Sequence, residues 1–104
     1  MKVRVLPEAF EDLSKAVDWY NSRREGLGQE FEEVFYSSVN HIHRHPLIHG
    51  FVYREFRRHL FQQFPYRRYY RIHEDEIIVS LVFHLARSPK TMRRILRSRK
   101  RYAK

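Results

Sequence analysis

The sequence predicts an α+β fold in the order β-α-α-β-β-β-α: a helical hairpin packed on a small, twisted, antiparallel-rich sheet, followed by a basic C-terminal helix. Three observations carry this. Apolar residues recur at helical spacing in two stretches separated by Gly26-Leu27-Gly28. The chain then switches to aromatic and β-branched runs, with polar His73-Glu74-Asp75 between the last two. Ser88-Pro89 finally opens another helical pattern, with good residues for an N-cap and a first helical position. Helices segregated from an antiparallel meander define the α+β class.

Taken in order, residues 2–6 (KVRVL) read as a short strand with Val3 and Val5 on one side and Lys2 and Arg4 on the other. Pro7 suits the start of a helix, and Glu8, Glu11 and Asp12 fall where the helix dipole favours acid. Ala9, Phe10, Leu13, Ala16, Val17 and Tyr20 repeat at helical spacing, so this helix extends to about residues 20–23. Leu6 is a poor N-cap. The spacing predicts a second helix over 28–44, with Phe31, Val34, Phe35, Ser38 and Ile42 inward; Pro46 and Gly50 end it. The short link makes the two helices an antiparallel hairpin. Strands are expected over about 54–64, 66–73 and 76–84. A final helix is expected over roughly 89–102, with Met92, Ile95, Leu96 and Tyr102 docking on the sheet.

At 104 residues this is one domain, spanning 1–104. It can bury about 60–65% of its unfolded surface. No apolar run is long enough to span a membrane and the start does not resemble a secretory leader. The chain has no cysteine, which excludes disulfides and thiolate zinc sites and suits the cytoplasm. Net charge is +9. Residues 1–52 hold 6 Lys+Arg and 8 Asp+Glu, whereas 53–104 hold 15 and 4. A basic half points to a polyanion, a nucleic-acid-bound target or an acidic protein partner.

The arginines are the candidate binding residues. Arg67 and Arg71 flank Tyr69 on one strand face, while Arg68 shares the other with Tyr66, Tyr70 and Ile72. The second face is expected to lean on the core, with Arg68 near an edge. Arg67 and Arg71 are then outward and free to bind anions, and Arg57 and Arg58 extend the patch. Arg93, Arg94, Arg97, Arg99, Lys100 and Arg101 keep the last helix basic and in water. His84 ends the last strand three residues before Arg87; it suits a general acid or base, or a residue that orders the following turn. His41 and His45 are i, i+4, with His43 and His49 nearby. No HExxH pattern or neighbouring carboxylate completes a site, so no metal is expected, and no cofactor signature is present.

The phrases RRHLFQQFPYRRYYRI and HLARSP, the early EAFEDLSKAVDWY and the element order together resemble the RelE/ParE superfamily of bacterial type II toxins. The resemblance covers nearly the whole chain. It implies a growth-arresting toxin neutralised by a cognate antitoxin in a hetero-oligomer, the antitoxin's acidic groups meeting the basic face. FPYRRYYRI, the long helical hairpin and HLARSP are closer to the ParE branch, which implies inhibition of DNA gyrase without bond-breaking chemistry. Arg57, Arg58, Arg67, Arg71, Arg87, Arg93, Arg94 and Arg97 would then meet target or antitoxin. The RelE branch implies a ribosome-dependent mRNA endonuclease, with Arg67, Arg87 and His84 in catalytic roles. Against it, the tyrosine expected on the last helix falls about where Arg93 stands, and the expected lysine pair is replaced by the neighbourhood of His59 and Gln62-Gln63. The tail also lacks the tryptophan often found near Met92 or Arg93 in ParE chains. A non-toxic basic binding module is the third alternative.

Overall fold

The computed structural model describes residues 1–100; the expected end of the last helix, with Arg101 and Tyr102, lies outside the described residues. The elements are β1 (Lys2–Val5), α1 (Pro7–Arg23), α2 (Leu27–Arg44), β2 (Phe51–Tyr53), β3 (Phe56–Leu60), β4 (Tyr66–His73), β5 (Glu76–His84) and α3 (Pro89–Arg99). They form an α+β fold on one five-stranded mixed sheet, ordered β1-β5-β4-β3-β2. β1 runs parallel to β5 and the other pairs are antiparallel.

The sheet differs from expectation at one place. Instead of a single strand over 54–64, Phe51–Tyr53 and Phe56–Leu60 form a hairpin around Arg54-Glu55. Arg54 takes φ +50, a left-handed conformation ordinarily left to Gly or Asn, so the reversal carries no sequence signature. The reversal at Glu74-Asp75 was legible, and both residues are left-handed there, at φ +46 and +69.

Both sheet faces are covered. The α1–α2 hairpin packs Leu13, Phe31 and Phe35 against Phe61 and Val82 on one face. Met92 and Leu96 of α3 pack on Phe56, Tyr69, Leu81 and Phe83 on the other. Interior strand β5 is therefore sandwiched, which explains its apolar run, broken only at Ser80. Each large side chain buried there contributes about 1.5–3 kcal/mol. A bulge at Ser80 shifts the register: Tyr69 pairs with Leu81, but Tyr70 pairs with Val79. The extra residue lets Val79 and Val82 both face the helical hairpin although they are three apart.

Leu6 is the N-cap of α1 without a side-chain hydrogen bond. Its side chain is buried in the core with Ala9, Ile42 and Tyr70, so packing takes precedence over capping here. The hairpin turn depends on two glycines. Gly26 has φ +88. At Gly28 the backbone N–H donates to Asn21 Oδ1 at 2.8 Å, and an added Cβ would collide with the Val17 carbonyl and sit 2.6 Å from Asn21 Nδ2. Gly28→Ala is expected to separate α1 from α2 and destabilise the chain by about 1–3 kcal/mol. A urea melt should show a lower midpoint; an unchanged midpoint would mean that the helices can part without loss.

Candidate functional site

Alternation along β4 sends Tyr66, Arg68 and Tyr70 to the α1–α2 side, and Arg67, Tyr69 and Arg71 to the α3 side. The parity is as the sequence predicts, but the surroundings are not. Arg68, expected near an edge, is 0% exposed. It donates to Ser38 Oγ and, at 2.6 Å, to the Phe35 carbonyl. Its guanidinium lies 4.3 Å and 4.9 Å from the ring centroids of Phe35 and Phe61. Burial pushes its pKa down to about 9, still well above neutral, so it is buried as a cation. No carboxylate pairs with it among the described residues; rings and α2 oxygens hold it instead.

Arg71, expected outward and free, is corrected in the same way. It does point away from the hairpin, but the end of α3 covers that part of the sheet and leaves it 5% exposed. It donates to the Lys100 carbonyl at 3.2 Å and pairs with Glu55 at 3.6 Å. Glu55 also holds the Lys100 ammonium at 2.7 Å. Burial alone would raise the Glu55 pKa, but the Lys100 hydrogen bond and the two cations together hold it below the usual carboxylate range.

Arg57 projects to the other face, where it donates to the His49 carbonyl at 2.6 Å and stacks 4.1 Å over Phe51. Its role in the structure is thus to order the segment leading into β2. The remaining candidate arginines lie on the α3 side of the sheet, at its rim and on α3 itself. Arg58 and Arg67 are half-buried on adjacent strands, paired with Tyr69 and Leu60 respectively. Arg87 is exposed and stacks 4.5 Å over Phe83. Arg93 and Arg94 are exposed, and exposed Arg97 donates to Tyr53 Oη at 3.1 Å. Ser88 caps this helix by accepting the Thr91 N–H at 3.2 Å. The first turn has no acid, so the positive end of the dipole adds to the arginines.

Asp12 positions α3. β1 stops at Val5 while β5 continues, leaving the Val82 N–H without a strand partner; Asp12 Oδ2 accepts it at 3.1 Å. The same carboxylate takes two bonds from Arg99 at 2.6 and 3.2 Å, and Arg99 also donates to the Ser80 carbonyl at 3.0 Å. The sequence marked Asp12 only as a helix-dipole residue. Its reach to residue 99 had no local signal.

His84 lies on the α1–α2 side against Tyr66, with ring centroids 5.0 Å apart. Its Nδ1 accepts the Ala86 N–H at 2.9 Å, the turn-ordering role weighed from sequence. A shallow groove of about 270 Å³ runs there beside Asp12, Trp19, Tyr66 and Arg87. Arg67 and His84 belong to opposite faces of the sheet; the structure brings together Arg67 with Arg58 on one face and His84 with Tyr66 on the other.

The histidines regroup. The sequence paired His41 with His45. The structure places His41 of α2 beside His49 and His59, with one donor nitrogen from each mutually within 4.8 Å. His59 was missed because it sits on a strand, far from the other histidines in sequence.

The chain matches the family model for the ParE toxin of the type II toxin–antitoxin system, parDE, over residues 3–89. A solved structure described as a chromosomal ParDE toxin–antitoxin system from P. aeruginosa has the same fold: TM-score 0.64, 13% identity, covering 82% of this chain and 96% of that one. No curated protein matches. The chain belongs to the ParE toxin family of type II toxin–antitoxin modules. Membership implies an antitoxin partner. No helix among the described residues is long and apolar enough to cross a membrane.

Two outcomes follow. Asp12→Ala removes the acceptor of the Val82 amide and two of the three bonds of Arg99, and should cost about 2–3 kcal/mol. Hydrogen exchange should accelerate in α3 well before β4; uniform acceleration would mean α3 is held by its apolar stripe alone. Because the folded-state pKa of Glu55 is depressed, its contribution is full above the unfolded carboxylate value and fades as pH falls through the folded one. Glu55→Gln should therefore flatten the acid limb of a stability–pH curve and leave its alkaline limb unaltered; an unchanged acid limb would contradict this.

Proposed function

We propose that this toxin arrests growth by binding DNA gyrase in the cytoplasm through Arg87, Arg93, Arg94 and Arg97, with Arg58 and Arg67 on the adjoining sheet, and that an acidic antitoxin segment neutralises it on the same surface. The observation that carries this reading is the position of those side chains. Arg58, Arg67, Arg93, Arg94 and Arg97 lie on α3 and the sheet face beneath it, with Arg87 at the rim of the sheet, whereas Arg68, Arg71 and Arg99 are held in the interior. Exposed guanidinium groups on a scaffold fixed by Asp12 and by the Phe83 ring suit a fixed anionic surface, and polar contacts of this kind give specificity and fast association.

Binding rather than chemistry is favoured by the separation of Arg67 from His84. A nuclease that uses the ribose 2′-OH needs its base, acid and phosphate-stabilising cations around one phosphate. Here the candidate base sits on the hairpin side and accepts a backbone hydrogen bond, while Arg67 serves the other face. Arg71 is reserved in this reading for anchoring the end of α3 rather than for target contact.

The test is induction of the chain alone in bacteria, with plasmid supercoiling and primer extension on abundant mRNAs read within minutes. Loss of negative supercoiling with intact mRNA is expected. New mRNA ends with normal supercoiling would overturn the reading in favour of the ribosome-dependent nuclease; no growth arrest would favour a non-toxic binding module. The double variant Arg87→Glu with Arg93→Glu should remain folded by circular dichroism and lose growth arrest. Full toxicity from that folded variant would overturn the assigned surface.

A further inference from the structure

A second site lies on the opposite side of the molecule, where α2 meets β3. His41 comes from the last turns of α2, His49 from the segment between α2 and β2, and His59 from β3. The His41 and His59 rings are stacked at 4.9 Å, and His49 lies 4.7 Å from His59 and 5.5 Å from His41. All three are half-buried. Imidazoles seldom crowd in this way without partners for their nitrogens, yet His49 Nε2 and His59 Nδ1 are buried with no hydrogen-bond partner among the described residues. Two orphaned ring nitrogens, with the His41 imidazole beside them and one ligand nitrogen of each residue within 4.8 Å of the others, are a donor set drawn from three segments of the chain.

We propose that His41, His49 and His59 bind a single borderline transition-metal dication, with Zn²⁺ the reference ion. Imidazole nitrogen is the donor such ions take, and three histidines leave a fourth position for water or an incoming ligand. A groove of about 590 Å³, lined by Glu33, Ser37, His41, Arg44, His59 and Gln62, gives the ion a path from solvent. In a tetrahedral site with Zn–N of about 2.0–2.1 Å the nitrogens stand about 3.3 Å apart, so from separations within 4.8 Å the cluster closes by at most about 1.5 Å. His49 is the ligand able to move, because it lies outside regular structure. Burial, then His41 and Arg57, lower the pKa of His49, and burial, then His49, Arg68 and His41, bring that of His59 to about 4, which favours the neutral rings a metal takes at these two positions.

The nearby Arg57 and Arg68 set the strength. Their field opposes a dication as it opposes a proton, so affinity should be micromolar rather than that of a closed structural zinc site. The bound ion would pin β3 and the segment before β2 onto α2. That segment is otherwise held by the Arg57–His49 and Tyr70–Pro46 carbonyl bonds.

The test uses the untagged full-length chain, freed of metal with a chelator and titrated calorimetrically with ZnCl₂. The visible spectrum of Co²⁺ reports geometry. One ion per chain is expected, with low-micromolar affinity, a tetrahedral Co²⁺ spectrum and a higher melting temperature on loading. His49→Asn and His59→Gln should each weaken binding by about tenfold or more. His43→Gln and His73→Gln, which alter histidines outside the cluster, should leave it unchanged. No saturable binding up to about 100 μM Zn²⁺ would overturn the proposal. So would undiminished binding by His49→Asn, which decides the matter even if His59→Gln fails to fold.

Discussion

β5 outruns its parallel partner, and the fold depends on how that mismatch is resolved. Past Val5 there is no strand to accept the Val82 amide, and the chain has already turned into α1. Asp12, in the second turn of α1, fills the position with a carboxylate instead of a carbonyl. A carboxylate has acceptor capacity left over and a charge to neutralise, and Arg99 meets both needs. A sheet-edge problem thereby becomes the anchor for the last helix. Because Asp12 is only 18% exposed, the pair is less screened than a surface salt bridge. Helix α3 is bound to the opposite side of the molecule by charge as well as by Met92 and Leu96.

The high arginine content serves two physical ends. One set is interior. Arg68 fills the space between α2 and the sheet, stacked on two phenylalanines. Arg71 and Arg99 tie down the end of α3. Lysine would not substitute, since each of these sites uses the planar guanidinium for several bonds or for stacking. The other set is superficial and leaves the charge in solvent. Net charge counts the two alike; only the second presents guanidinium groups that a partner can touch.

Much of the fold was legible in the sequence because its signals are local. Pro7, Gly26, Pro46 and Ser88-Pro89 punctuate the helices, and His73-Glu74-Asp75 marks the β4–β5 turn within the expected bounds. The hairpin at Arg54-Glu55 was not legible, because the left-handed residue there is an arginine. For the candidate site, alternation along β4 gave the right parity for Arg67, Arg68 and Arg71, but parity says nothing of what lies above a face. Alternation leaves Arg71 outward, and only the tertiary reach of α3 covers it. The gathering of His41, His49 and His59 was hidden because proximity in sequence linked His41 to His45 instead.

By itself, then, the sequence determined the element order apart from the β2–β3 hairpin, the helical hairpin, the concentration of cationic charge in the second half and the resemblance to a toxin family. The first three follow from periodicity, capping chemistry and composition, which act over a few residues; the resemblance rests on phrases such as FPYRRYYRI and HLARSP. Tertiary structure alone decided which arginines are interior, which carboxylate anchors α3, where the Ser80 bulge resets the faces of β5, and which histidines converge. Those outcomes depend on contacts such as Asp12 with Arg99 and Ser38 with Arg68, between residues remote along the chain. Burial and charge pairing belong to the packed three-dimensional arrangement, and no window of sequence contains them.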